Sequence, residues 1–321
     1  MRICKRCNQA LDLSQFKRDA IARDYRRNTC KRCDAAASKA YRLKRKAALA
    51  TQHARATPGL GAGDDVQTIV VLSDVHVPEH DGPFWRVLLM WLREHRPHEL
   101  ILSGDFGEFG SVSQHGGANE AKLTEDLADV GAALDQLRDA VGNDCRMTYL
   151  EGNHESRLPR AVSSWAPTFT GAVDLPVMLE LERRNIEWVP EYAQPVHRGL
   201  LRVLHGHQML GKYGPRHHAA KAADVYGSQP HVEIVYGHVH AAQHHVKPVA
   251  GGSVSATATG CGRTIGADRV RWLAGREAGW HHGFVVAYVY EQQQAQVYNV
   301  KVRDGKFIWG GKAYDSRKAA G

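Results

Sequence analysis

Asp74-Val75-His76, Gly104-Asp105, Gly152-Asn153-His154-Glu155, His205-Gly206-His207 and Gly237-His238-Val239-His240 each follow an apolar run of the 321-residue chain. Their residue types are those of a divalent-metal site built from nitrogen and oxygen donors. In Asp-x-His and His-x-His, residues i and i+2 of an extended segment project to the same side, so neighbouring donors converge. A carboxylate can bridge two cations and lower their mutual repulsion, while neutral imidazoles and an amide oxygen fill further positions without over-neutralising the site. Such a mixed set suits manganese, taken first, with iron, zinc and nickel as alternatives. Glycines beside Asp105, Asn153 and His238 permit tight turns and close backbone approach. Any one piece is ordinary, because a strand-end histidine is commonly structural. Five pieces in this order are poorly explained as scattered polar strand ends.

A second chemistry sits near the N-terminus. Cys4-Lys5-Arg6-Cys7 and Cys30-Lys31-Arg32-Cys33 supply four thiols in two pairs separated by 22 residues. That is the complement of a closed tetrahedral zinc site rather than a disulfide framework. A stretch this small cannot fold without the metal, so the zinc is expected to be structural. Cys145 and Cys261 stand alone and read as buried free thiols.

The elements that must position these groups follow from apolar patterning. Thr68–Ser73 (TIVVLS), Glu99–Ser103 (ELILS) and Arg146–Leu150 read as buried strands, separated by helical patterns over Phe84–Glu94 and Ala121–Val141. This order predicts parallel strands joined by helices, with the donors at the strands' C-terminal ends, where open α/β sheets build their sites. Further strands are expected at Leu200–Leu204, Val232–Tyr236, Gln243–Pro248, Ser253–Thr259, Phe284–Tyr290 and Gln296–Val302, with a helix over Pro215–Tyr226. Residues 51–66 (TQHARATPGLGAGDDV) lack apolar periodicity and read as a linker between a module at 1–50 and a catalytic domain at 67–303. A C-terminal tail, 304–321, is expected to fray from Lys312 onward. Ser156–Arg198, with Trp165 and Trp188, could cap the cleft as a small-ester pocket requires, the alternative being an open groove that suits a polymer.

The motif string resembles the calcineurin-like metallophosphoesterase family. That family's signature is Asp-x-His, Gly-Asp, Gly-Asn-His-Glu, a later His, then Gly-His-x-His. It is matched by Asp74/His76, Gly104-Asp105, Gly152-Asn153-His154-Glu155, His205 and Gly237-His238-Val239-His240, between Thr68 and Val302. The resemblance implies an α/β fold, a β-sandwich flanked by helices. It implies one metal on Asp74, His76, Asp105 and His240, and another on Asp105, Asn153, His205 and His238, with Asp105 bridging. His154 would lie beside the metals without ligating them and serve the phosphate oxygens or leaving group; Glu155 would orient rather than ligate. Many family members carry an acidic or amide residue three positions after the Asp of Gly-Asp. Here that residue is the longer Glu108, which would orient His154 or the site's water. His205, directly after its strand, is taken as the ligand over His207. In the expected reaction two cations activate a shared water, whose hydroxide attacks phosphorus in line. Arg157 reads as a phosphate clamp or as a helix-surface arginine. His115, Lys212, Arg216, His217 and His218 fall in expected loops and read singly as solvated. The N-terminal module is similar to small Cys4 units at the start of some bacteriophage and mobile-element nucleases, with more arginine between its pairs (Arg23, Arg26, Arg27).

Charge suggests what the module meets. The net charge is +8, yet residues 1–56 hold 16 Lys/Arg against 4 Asp/Glu, a net of +12 that leaves −4 for the remainder. After Cys33 the chain runs DAAASKAYRLKRKAALA, a helix former with basic residues at 39, 42, 44, 45 and 46. Such asymmetry fits contact with nucleic-acid phosphates, DNA before RNA; a protein-docking knob or a solubilising arm is the alternative. Few aromatics interleave the basic residues, so base stacking by the module is not indicated. No apolar run approaches the roughly 18 residues of a membrane span, and the chain opens without an apolar signal region. A cytoplasmic protein without membrane contact is expected, in the host cytoplasm if phage-encoded. The function expected is a two-metal phosphodiesterase or nuclease. The alternative is a phosphomonoesterase or small-nucleotide phosphodiesterase whose zinc module docks a protein.

Overall fold

The computed structural model describes residues 1–18, 26–36, 66–113, 122–209, 217–266 and 279–318. The chain divides into two compact units, Met1–Gly63 and Asp64–Gly321. Residues 51–65 of the expected linker, most of the basic helix and His115, Lys212 and Arg216 lie outside the described residues.

In the first unit, β1 (Arg2–Ile3) pairs antiparallel with β2 (Ala10–Leu11), and β3 (Phe16–Arg18) with β4 (Arg26–Cys30). Its core is small: Cys4, Phe16 and Cys30 are buried, with Cys7, Leu11 and Cys33 packed against them.

In the second unit, alternation along the first strand sets the layers. Val70 and Leu72 of β5 (Val66–Leu72) point into one cluster and Ile69 and Val71 into another, as a period of two requires. The first cluster is closed by Val87, Leu88 and Leu92 of α1 (Gly82–His95) and Leu134 and Leu137 of α2 (Leu123–Val141). Strands β6 (Glu99–Leu102), β7 (Arg146–Leu150) and β8 (Ile186–Val189) extend β5 in parallel. Strands β14 (His282–Tyr290) and β15 (Gln294–Val302) run antiparallel on its other edge, completing a six-stranded sheet.

The second cluster fills the space between this sheet and a five-stranded one. That sheet contains β9 (Val196–Arg198), β10 (Leu201–Leu204), β11 (Glu233–Tyr236), β12 (Ala242–Val249) and β13 (Gly252–Thr259), in the order β12-β13-β11-β10-β9. Its outer face is covered by Ala219, Ala222 and Ala223 of α5 (His218–Tyr226), following α3 (Arg157–Trp165) and α4 (Leu175–Met178) in the chain. A buried ion pair also crosses between the sheets, with Arg198 Nε and Nη2 on the two oxygens of Glu99 at 2.7 Å each. The expected β-sandwich flanked by helices is thus the architecture of this unit.

One expectation needs correction, and one open reading is narrowed. The tail does not fray at Lys312: β16 (Lys306–Trp309) and β17 (Lys312–Asp315) form a hairpin through Gly310-Gly311, both at positive φ, and a 3-10 turn follows at Ser316–Lys318. Phe307 and Tyr314 stack with centroids 5.0 Å apart and join the core, and Lys312 Nζ reaches Glu94 of α1 at 2.7 Å. Nor is Ser156–Arg198 one cap, because Trp188 lies on β8, an edge strand of the six-stranded sheet, packed against Tyr149.

Candidate metal centre

The strand ends converge as two adjacent donor groups, beside a third made of His76, Glu108 and His154. Asp74, His76 and His240 form one, Asp105, His205 and His238 the other, each with ligating atoms within 4.8 Å of one another. Asp74 and His76 follow β5 and Asp105 follows β6, while His205, His238 and His240 follow β10 and β11 of the other sheet. All six are at least partly buried, and Asp74, His76, Asp105, His238 and His240 have positive φ. Left-handed backbone costs a non-glycine residue about 1–2 kcal/mol, and strain gathered on one set of side chains is characteristic of a functional site. Gly152 and Gly237 are needed here, because a Cβ would collide with Asp105 at the first and with Ser73 and Asp74 at the second.

In the first group, His76 Nδ1 lies 2.7 Å from Glu108 Oε2. A carboxylate only accepts, so Nδ1 carries the proton and Nε2 presents a lone pair. Burial, then the His154 charge, pushes the His76 pKa down to about 4, so the ring is neutral. Its Nε2 faces His240 Nε2 at 3.0 Å, and His240 Nε2 lies 3.2 Å from Asp74 Oδ1. Asp74 Oδ1 and His240 Nδ1 are nevertheless buried without a hydrogen bond. Asp74 Oδ2 accepts the His238 N–H at 2.7 Å. Burial opposes its charge but His240 outweighs it, holding the Asp74 pKa at about 2. An orphaned buried carboxylate oxygen beside a neutral imidazole lone pair is the surrounding a divalent cation fits.

In the second group, His205 Nδ1 lies 2.8 Å from the Ser103 carbonyl and therefore donates to it. Its Nε2 then faces Asp105 Oδ2 at 3.3 Å and Asn153 Oδ1 at 3.1 Å. Between these atoms there must be either a proton or a cation. Without a cation, Asp105 outweighs burial and raises the His205 pKa to about 10. Burial, then His205, lowers His238 to about 4. Asp105 Oδ1 is engaged elsewhere, accepting the His154 N–H at 2.8 Å.

Around the donors lies a polar frame. The buried Glu155 carboxylate accepts from the backbone N–H groups of Asp105, Phe106, Gly107 and Gly152 and from Tyr149 Oη, at 2.7–3.2 Å. Burial, then the Asp105 charge, raises its pKa, and these five donors hold the ionised form. Glu155 therefore fixes the turn that carries Asp105. His154 gives its Nδ1–H to the Glu108 carbonyl at 2.9 Å, leaving Nε2 3.8 Å from Asp105 Oδ2. Arg157 turns inward from α3: Nη1 donates to Glu108 O at 2.6 Å and Nη2 lies 2.9 Å from His154 Nε2. It is not a helix-surface arginine. His207 lies 3.2 Å from Glu191 Oε1 and belongs to neither donor group. His218 is nearer than its loop reading implied, its ring 6.3 Å from that of His238.

Three residues escaped the sequence reading. Arg263 binds Glu79 and Glu108. Trp280 packs edge-to-face on His240, centroids 4.4 Å apart. The available signal was Thr259-Gly260-Cys261-Gly262-Arg263, another glycine-bounded strand end.

In the first unit, Cys4, Cys7, Cys30 and Cys33 gather their sulfurs within 4.8 Å. The Cys30 N–H donates to Cys4 Sγ at 3.3 Å and pulls that thiol down to about 6, whereas its hydrogen bond with Cys30 pushes Cys33 up to about 12. One thiolate forms readily and a further one is opposed by its neighbours, a conflict that a bound zinc ion removes.

No family model matches the chain, and no curated protein matches it significantly. Similar solved structures include vacuolar protein sorting 29 from Cryptosporidium parvum, at 14% identity and TM-score 0.41, covering 78% of this chain and 100% of that one. A dimetal phosphatase from Danio rerio matches at 13% identity and TM-score 0.36, covering 73% and 99%. Yfce, a phosphoesterase from E. coli, matches at 16% identity and TM-score 0.34, covering 74% and 100%. At such identities and TM-scores no activity passes from them to this chain. Among the described residues no helix is long and apolar enough to cross a membrane.

Proposed function

We propose that the chain is a two-metal-dependent phosphoesterase of the calcineurin-like, phage or mobile-element type, and that it hydrolyses nucleic-acid phosphodiesters. The observation that carries the first part is the pair of adjacent donor groups, with an orphaned, buried Asp74 oxygen in one of them. Asp74, His76 and His240 would hold one cation, and Asn153, His205 and His238 the other, with Asp105 shared. Two divalent ions there, manganese first, would supply Lewis acidity and a water of lowered pKa. The buried carboxylates of Asp74 and Asp105 offset that charge. His154, with Nδ1–H fixed on the Glu108 carbonyl, offers Nε2 as the atom that passes a proton to or from the ester. Arg157 brings a permanent positive charge to the same edge, where an anionic ester competes with Glu108 for it. The part-exposed Trp280 offers an aromatic face beside His240.

The nucleic-acid part of the reading rests on the +12 charge of residues 1–56 and on the four-cysteine cluster within them. The reading places the protein in the cytoplasm. Its test is the purified protein with Mn2+, assayed in parallel on single- and double-stranded DNA, RNA, and chromogenic phosphodiester and monoester. Deleting residues 1–56 is expected to raise the KM for long DNA by about tenfold at low salt, less as salt rises, and to spare the small diester. An equal effect on both substrates means the module supports the fold. Monoester preference with no module–DNA binding favours a protein-docking module instead.

His154→Ala is expected to keep both metal sites and to lose activity on the order of 10²-fold. Normal turnover together with normal metal content in this variant would remove His154 from the reaction.

A further inference from the structure

Arg263, in the turn after β13, is buried. Its Nη1 donates to Glu108 Oε2 at 2.7 Å, and its Nη2 pairs with Glu79. Glu108 Oε2 is also the oxygen that accepts His76 Nδ1–H at 2.7 Å. A single carboxylate oxygen therefore carries an arginine N–H on one side and a candidate ligand's imidazole on the other. The turn's backbone is tied to the same loop. Gly262 N–H and Arg263 N–H both donate to the Asp74 carbonyl, at 3.0 and 3.2 Å, and Thr264 N–H donates to the Glu79 carbonyl at 2.9 Å. Asp81, the residue that caps α1, donates its N–H to the Gly262 carbonyl at 2.8 Å.

These contacts join the two sheets at the first donor group. Asp74, His76 and Glu79 follow β5 and Glu108 follows β6, in the six-stranded sheet; Arg263 and His240 follow strands of the five-stranded sheet. The Asp74–His76–His240 group draws on both sheets, so its geometry depends on how their ends meet. The second group has its own cross-sheet tie, in which Ser103 Oγ donates to the Leu204 carbonyl at 2.7 Å and the Ser103 carbonyl accepts His205 Nδ1–H at 2.8 Å. Arg263 touches none of those residues.

We propose that Arg263 is a positioning residue for one of the two metals only: through Glu108 it holds His76 in the tautomer that frees Nε2, and its turn fixes Asp74 against the sheet that carries His240. This rests on the two-metal reading and adds an asymmetry to it. Partners that orient a metal-ligating histidine are worth about 10–100-fold in metal affinity.

The test is titration of the full-length, zinc-loaded protein, its catalytic sites stripped, with Mn2+ and in parallel with Co2+. The wild-type protein is expected to bind two ions. Arg263→Met is expected to keep one site unchanged and to weaken the other about 10–100-fold, with loss of the magnetic coupling of a dinuclear centre. Arg263→Lys falls between, because a lysine is a point charge that cannot fork onto Glu79 and Glu108 together. Arg184→Met, which breaks the Asp135 pair and Leu179 carbonyl contact, is expected to lower stability and leave both sites intact. Two unaltered sites in Arg263→Met, or equal weakening of both in a folded Arg263→Lys, would overturn the positioning role alone. A wild-type protein that takes up neither ion overturns the two-metal reading along with it.

Discussion

Asp105→Ala is expected to leave a folded protein that no longer assembles a two-ion centre and hydrolyses its ester on the order of 10³-fold more slowly. Metal assistance is worth several kcal/mol at the transition state, and each 1.36 kcal/mol is a factor of ten. Asp105 lies 3.3 Å from His205 Nε2, so its removal reduces the second group to imidazoles and the Asn153 amide. Two cations held there would then repel each other without the shared carboxylate that offsets their charge. The turn itself should survive, since Glu155 holds the backbone N–H groups of residues 105 to 107 whatever the side chain at 105. Asp105→Asn separates the two roles of the carboxylate. It keeps an oxygen for the His154 N–H, now accepted at 2.8 Å, yet lacks the charge. Metal content by elemental analysis and turnover of a chromogenic diester are the readouts. Two bound ions and normal turnover in the alanine variant would remove Asp105 from the centre.

The donor set was legible because it obeys local rules. Each donor follows an apolar run, and the i, i+2 spacing of Asp74/His76 and His238/His240 shows in the sequence without knowledge of the fold. Reading His205 rather than His207 as the ligand needs only the strand end; in the structure His207 lies beside Glu191. What stayed hidden depends on contacts across the chain. Arg263 meets Glu108 across 155 positions and Glu79 across 184, and no pattern within one segment reports that. Arg157 was read as clamp or surface because its partner, the Glu108 carbonyl, lies 49 positions away. The C-terminal hairpin is a different failure. Gly310-Gly311 between the apolar run Phe307-Ile308-Trp309 and Ala313-Tyr314 is a turn signal in its own right, masked by the polar terminus beyond it. Its stability comes from Phe307 and Tyr314 packing on the core, which local composition does not announce.

Removing zinc is expected to unfold the first unit while the second keeps its fold. In that unit the described core consists of Phe16 and Leu11 with the four cysteines, and the paired strands are two to five residues long. Two apolar side chains bury about 3–6 kcal/mol together, against an ordering cost of about 1–2 kcal/mol for every residue fixed. The sulfurs cannot make up the difference as thiols, because the Cys33 pKa of about 12 leaves it protonated at neutral pH. Zinc at such a site contributes apparent binding energies of about 10–16 kcal/mol, drawn from four thiolates at once. Hydrogen exchange on the full-length chain reads this directly. After a strong chelator, amides in residues 1–18 and 26–36 should lose protection, and those in β5–β8 and β14 should keep it, since these strands bury one apolar face in each of two clusters. Acid should do the same, because zinc displaces protons from the thiols and falling pH returns them. Persistent protection of residues 1–18 in zinc-free protein would mean that the unit folds by some other means, and the cysteine cluster would lose its structural role.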